Sequence, residues 1–121
     1  MSFADRLGLS VVEVGEGRAH LRAEVTTEHV NIHGTAHGGF LYALADEAFA
    51  LASNSREADA VALSTRMDYF VAVRPGDVVE AWATEEHLGR RVATYRVELR
   101  REGRRVALFT GTVYRMKPRG T

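Results

Sequence analysis

The sequence predicts an α+β domain in which an antiparallel sheet encloses one long buried helix. Three observations predict it. Turn-like clusters recur at Gly15-Glu16-Gly17, Pro75-Gly76-Asp77, Gly89-Arg90-Arg91 and Glu102-Gly103-Arg104, each between runs that alternate in polarity, as in β-hairpins. One stretch, Gly38 to Ser53, has no proline and no β-branched residue and so favours helix. The chain has 121 residues, room for a single domain spanning 1–121.

In chain order, a short helix is expected near residues 2–7, then a strand on each side of Gly15-Glu16-Gly17. In the second of these, Ala19, Leu21, Ala23 and Val25 alternate with His20, Arg22 and Glu24, so one side faces a core and the other water. The 38–53 helix, about 24 Å long, is apolar around most of its circumference, which predicts burial rather than a surface position. Segments 60–70 and 77–87, rich in Val, Ala and aromatic residues, read as strands joined across the Pro75 turn. In 91–101, Ala93, Tyr95, Val97 and Leu99 form an inward face, and Thr94, Arg96, Glu98 and Arg100 an outward one. Residues 106–114 are apolar on both faces, which puts that strand in the interior of the sheet. One helix cannot cover both sides of such a sheet, so self-association is expected.

Composition excludes several classes. Sixteen basic and sixteen acidic residues give a formal net charge of zero, without the basic excess of a sequence-independent nucleic-acid binder. There is no cysteine, hence no disulfide scaffold, thiolate-held zinc or thiol nucleophile. MSFADRLGLS lacks the features of a signal peptide, and no apolar run is long enough to span a membrane; a cytoplasmic protein that engages no membrane is expected. Fifteen of the sixteen basic residues are arginine. This reflects either genome base composition or a need for guanidinium groups on phosphate.

Reactive residues concentrate in 29–46, HVNIHGTAHGGFLYALAD. Asp46 lies inside the apolar helix on a stripe with Tyr42, Ala43, Ala50 and Ser53, where small neighbours allow close approach. Such a carboxylate is either tied to backbone donors or an arginine, or is a general base or nucleophile tuned by burial. Glu47, about 100° away, is expected to be ion-paired. His37-Gly38-Gly39 opens the helix, where the first N–H groups lack intrahelical partners. The glycines either expose those groups as an oxyanion hole or merely allow a tight turn. His29, His33 and His37 have i, i+4, i+8 spacing, but glycines and β-branched residues predict a loop there, so no metal site is expected. There is no Gly-x-Ser-x-Gly elbow and no phosphate-binding glycine loop, so hydrolysis would have to use a carboxylate and backbone donors.

The motif Asn31-x-His33-Gly34-x-x-His37-Gly38-Gly39, followed by Leu44-Ala45-Asp46, resembles that of the hotdog-fold acyl-CoA thioesterases of the phenylacetate-degradation (PaaI-type) branch. The likeness runs from about residue 5 to 116 and includes Met67-Asp68-Tyr69-Phe70 and Ala107-Leu108-Phe109-Thr110-Gly111. It implies a curved antiparallel sheet wrapped around the helix, and a homodimer, with dimers pairing further, whose active sites lie between chains. Gly38 would supply the oxyanion N–H. Asp46 of the opposite subunit would activate water or attack the thioester. Asn31 would position the water or carbonyl, and His37 would support that geometry by a hydrogen bond. The substrate would be an acyl-CoA, of which CoA is a part, with no separate cofactor; a phenylacetyl or hydroxylated aryl-acyl group is one possibility. His33 and Gly39 join the substrate-binding side. Many relatives place a hydroxyl on the strand after the helix; here that position falls on Ala62, leaving Ser64 or its neighbour Thr65 as candidates. Arg66, Arg90 and Arg91 are the candidates for the CoA phosphates. A hotdog-fold acyl hydratase or dehydratase and a non-catalytic acyl-CoA-binding protein are the alternatives.

Overall fold

The computed structural model describes residues 1–118. The elements are α1 (Phe3–Leu7), β1 (Ser10–Gly15), β2 (Arg18–Glu24), a 3-10 turn (Thr27–His29), α2 (Gly38–Ser53), β3 (Ala58–Tyr69), β4 (Val78–Leu88), β5 (Val92–Arg101) and β6 (Arg104–Pro118). The six strands form one antiparallel sheet in the order β1-β2-β4-β5-β6-β3. Ser2 caps α1 through a capping box with Asp5, and Gly8 ends it with φ 76°, a left-handed conformation that suits glycine.

Three of the four expected hairpins form: β1–β2, β4–β5 and β5–β6. The Pro75 turn does not make one. β3 lies beside β6 at one end of the sheet and β4 lies between β2 and β5, so residues 70–77 cross the end of the sheet. Gly76, at φ 96°, turns the chain there, and the backbone bonds Gly76 N to Val25 O (2.8 Å) and Val25 N to Asp77 O (2.8 Å) tie the crossing to the end of β2. Alternating polarity marks strands on both sides of a turn, but it does not say that they pair with each other.

α2 presents Phe40, Leu41, Leu44, Ala45, Ala48, Phe49 and Ala52 to the sheet, all buried. They meet the inward faces of β2, β4, β5 and β6, including Leu21, Tyr95, Val97 and Phe109. Phe49 sits among aromatic rings, 5.2 Å from Phe109 and 6.0 Å from Tyr95 between centroids. At Gly111 a Cβ would come within 2.7 Å of the Phe49 ring, so that position of β6 is closed to any side chain.

The helix is not enclosed all round. Tyr42, Ala43, Asp46, Glu47 and Ala50 stay only partly buried, because the sheet wraps one side of α2 and leaves this stripe open. Ser53 departs from the stripe: it is buried, and its hydroxyl donates to Ala50 O. On the outer face of the sheet His20 stacks on Trp82, ring centroids 3.5 Å apart, and pairs with Glu80. Glu98 also departs from expectation: it is buried on that face beneath Arg100 and Arg105, which both donate to it.

β3 ends the sheet, and it is long and bare. Residues 61–66 are all exposed, with Val61 at 49% and Leu63 at 60%. Leu63 is an extra residue in a bulge between the pairs Ala62–Val113 and Ser64–Thr112. The bulge shifts the parity of the strand. Ala60 and Ala62 before it, and Thr65, Met67 and Tyr69 after it, share the α2 side, while Ser64 and Arg66 face outward with Thr112 and Thr110. No helix among the described residues is long and apolar enough to cross a membrane.

Candidate active site

The loop before α2 is built by its own side chains. Val30 and Ala36 form a bridge, Asn31 N donates to Thr35 O (2.8 Å), and Gly34 turns the chain at φ 79°. The Asn31 carboxamide oxygen accepts from His33 N (2.9 Å) and Thr35 N (3.3 Å), and its Nδ2 donates to Thr35 Oγ1 (3.0 Å). Asn31 therefore shapes the loop from within. The three histidines go separate ways. The His29 ring stacks on Phe40 at 3.8 Å and accepts from Thr26 N (3.0 Å). His33 is exposed. His37 is the N-cap of α2.

At the start of α2 the N–H groups can be accounted for one by one. His37 N donates to His29 O (2.7 Å), Gly39 N to His37 Nδ1 (2.8 Å), Phe40 N to His37 O (3.0 Å) and Leu41 N to His37 O (3.3 Å). Because His37 Nδ1 accepts, a neutral ring carries its proton on Nε2. Among the described residues nothing accepts from the Gly38 N–H. It is the donor left open at the positive end of the helix dipole. The sequence pointed to Gly38 and Gly39 together; the His37 ring takes Gly39 and leaves Gly38.

Tyr69, the last residue of β3, reaches this point. Its hydroxyl donates to Gly38 O (2.8 Å), and a Cβ on Gly38 would lie 3.2 Å from the phenol carbon and oxygen. Burial, then the proximity of Tyr42, raises its pKa. One turn further along α2, the Tyr42 hydroxyl meets Thr65 Oγ1 at 2.8 Å. Neither contact is visible in the sequence. What could have signalled them is the position of two tyrosines and a threonine where purely apolar side chains would have sufficed.

Asp46 follows one turn beyond Tyr42. Of the two structural partners expected for a carboxylate here, backbone donors or an arginine, it has neither among the described residues, and burial raises its pKa above the usual carboxylate value. Glu47, beside it, likewise forms no ion pair among the described residues, against expectation. Ala43 and Ala50 leave the space around Asp46 open.

The remaining candidates lie elsewhere in the chain. Ser64 and Arg66 share a shallow outer groove with Asp68, Thr110 and Thr112, and Arg66 pairs with Asp68 at 3.0 Å. Arg90 and Arg91 sit at the β4–β5 tip, where Arg91 donates to the Tyr114 hydroxyl (3.1 Å) and its carbonyl accepts from Arg115 N. That tip is at the opposite end of the sheet from Gly38. The hydroxyl that faces α2 is that of Thr65, and at Ala62 there is only a methyl group.

The profile of the thioesterase superfamily matches residues 33–108, the segment that runs from the loop through α2 to β6. The chain belongs to that superfamily. The acyl-coenzyme A thioesterase PaaI of Escherichia coli is 36% identical over 93% of this chain and 81% of its own length. The structure of a mutant of the phenylacetic acid degradation protein PaaI from Thermus thermophilus superposes with a TM-score of 0.92 at 60% identity, over 94% of this chain and 98% of that one. A Streptococcus mutans protein crystallised with acetyl CoA superposes with a TM-score of 0.87 at 28% identity, over 92% and 90% of the two chains. The fold is thus the hotdog fold, the branch is the PaaI type, and the protein is a thioesterase.

Proposed function

We propose that the protein hydrolyses a CoA thioester to a carboxylic acid and free CoA in a site shared by two chains, with the Gly38 N–H and the Asp46 carboxylate acting on the same carbonyl. The observation that carries this reading is the pair left unsatisfied among the described residues on one helix: an N–H with no acceptor and a desolvated carboxylate with no donor. In hydrolysis the thioester oxygen gains negative charge and the Gly38 N–H stabilises it. Asp46 takes the proton of an attacking water, or attacks the carbonyl itself and is released by water. On the first route the C–S bond breaks as Asp46 passes its proton to the sulfur; on the second it breaks as the anhydride with Asp46 forms, which water then hydrolyses; CoA leaves as the thiol on either route. Asn31 and His37 hold the loop and the cap, and so fix where the Gly38 N–H points. CoA enters as substrate, and no further cofactor takes part.

Two features support the shared site. Gly38 and Asp46 are eight residues apart, about 12 Å along the axis of one helix, a long span for two groups that must both reach one carbonyl. The bare edge of β3 and the open stripe of α2 lie on the same side of the chain, and an exposed apolar edge of that length is a natural pairing surface. Antiparallel pairing of two β3 strands would continue the sheet and bring the second chain over the stripe. Among the relatives, the acetyl CoA complex from Streptococcus mutans and the acyl-coenzyme A thioesterase of Escherichia coli support a CoA thioester as the substrate. Phenylacetyl or hydroxylated aryl-acyl groups are the first to test.

The decisive experiment is a panel of acyl-CoAs with thiol release as the readout. Free CoA appearing with the wild type and not with Asp46→Ala is expected. Hydration of an enoyl-CoA without thiol release would instead favour a hydratase, and binding without turnover a carrier. Mixing Asp46→Ala with Asn31→Ala chains tests the shared site. With random exchange about half the dimers are mixed, and each holds one intact site of two, so about a quarter of wild-type activity returns. No recovery despite exchange proven by mass spectrometry would place both groups on one chain.

A further inference from the structure

We infer that Tyr69 is a positioning residue for the oxyanion donor: its phenol holds the carbonyl side of Gly38, the His37 carbonyl holds the other side, and the glycine between them keeps its N–H in one direction. This rests on the thioesterase reading above and extends it to a residue outside the His-Gly-Gly and aspartate motif.

The His37-Gly38-Gly39 segment has two glycines in a row, the residues with most backbone freedom to lose. Their neighbours are fixed: His37 N is bonded to His29 O, and Gly39 N to the His37 ring. On one side of Gly38 the His37 carbonyl accepts from Phe40 N and Leu41 N; on the other, Tyr69 places its hydroxyl on the Gly38 carbonyl at 2.8 Å and its phenol carbon 3.2 Å from the position of a Cβ. Tyr69 is in turn anchored. It pairs with Ala107 on β6, and the next amide, Phe70 N, donates to Val106 O (2.9 Å). The strand thus sets the orientation of the helix start. Tyr69 is 50% exposed, so packing alone does not call for a phenol there. With its pKa raised, the hydroxyl stays protonated, and a donor, throughout the neutral range. The same contact favours glycine at position 38, because a Cβ there would press on the Tyr69 phenol at 3.2 Å.

Tyr69→Phe keeps the ring and removes only the donor. The expected result is a fall in kcat of about 5- to 50-fold, smaller than the ~10²–10³-fold cost of losing an oxyanion donor outright. KM for the acyl-CoA and the melting temperature should stay near wild type. Replacing Tyr69 with 3-fluorotyrosine, which keeps the shape but lowers the phenol pKa, should shift the alkaline limb of the kcat profile to lower pH. A kcat for Tyr69→Phe within twofold of wild type overturns the inference. So does a loss that appears in KM or melting temperature rather than in kcat, or an unmoved alkaline limb in the fluorotyrosine protein. Wild-type protein that releases no CoA from any substrate would instead sink the thioesterase reading, and this inference with it. An active wild type beside an unaffected Tyr69→Phe removes this inference alone.

Discussion

The two ends of α2 differ in how their polar groups are treated. At the C-terminal end, Asn54 Nδ2 donates to Ala50 O (2.9 Å) and Ala60 O (3.2 Å), and its Oδ1 accepts from Ala60 N (2.9 Å). Just beyond, Ser55 Oγ accepts from Gly17 N, and Glu85 accepts from Arg56 (2.8 Å) and from the Tyr95 hydroxyl (2.7 Å). At the N-terminal end the Gly38 N–H, and at mid-helix the Asp46 carboxylate, meet no partner among the described residues. The carboxylates show the contrast in their titration. Burial pushes the Glu85 pKa up, but the bonds from Arg56 and Tyr95 outweigh it and leave it lowered. Burial acts on Asp46 unopposed. Satisfied polar groups hold the fold; unsatisfied ones keep their hydrogen-bonding capacity for a substrate.

The largest effect should come from the unsatisfied groups. Asp46→Asn should lower kcat by at least ~10²–10⁴-fold without weakening the fold, and steady-state thiol release together with a melting curve checks both halves. Asn31→Ala comes next. Its side chain closes the loop, so kcat should fall by roughly 10–100-fold while CoA affinity, measured by calorimetry, changes little. A raised KM with unchanged kcat would break this assignment.

At the satisfied end, Glu85→Gln should leave kcat per folded chain unchanged and destabilise the protein by on the order of 2 kcal/mol, read from denaturant unfolding. The pH dependence sharpens the comparison, because the two carboxylates have opposite signs. The Glu85 pKa is depressed in the fold, so its contribution is present above the unfolded value of about 4.3 and is lost as pH falls through the folded one. The Asp46 pKa is raised, so its charge opposes folding at neutral pH, and that opposition disappears on acidification below the unfolded value of about 3.9. Asp46→Asn should therefore be more stable than wild type at pH 7 and Glu85→Gln less stable. Both differences should shrink toward zero in acid. Catalysis should fail as pH drops through the raised Asp46 pKa. The smallest expected effect is that of a chelator, which should leave turnover unchanged; inhibition reversed by added zinc would revive a histidine-held metal.

Much of the fold could be read from alternation and from one apolar helix, because strand and helix periods are local properties. What could not be read depends on distant pairing. The Pro75 turn has hairpin chemistry, yet β3 and β4 are separated by two strands, β5 and β6. The bulge at Leu63, which turns Thr65 toward α2 and Ser64 away, leaves no mark in the pattern of residue types. At the site, Gly38 and Asp46 were legible because a glycine pair at a helix start and an acid in an apolar helix violate local rules. Tyr69 was not, because its importance lies in reaching a residue 31 positions away.

The stacking of His20 on Trp82 has a practical consequence. Trp82 is the sole tryptophan, and it lies on the outer side of β4 with the sheet between it and α2. Its fluorescence is a reporter of β2–β4 melting, whereas events at Gly38 and Asp46 take place out of its view. Loss of the site and loss of the sheet can therefore be timed separately in one unfolding experiment, one by turnover and the other by light.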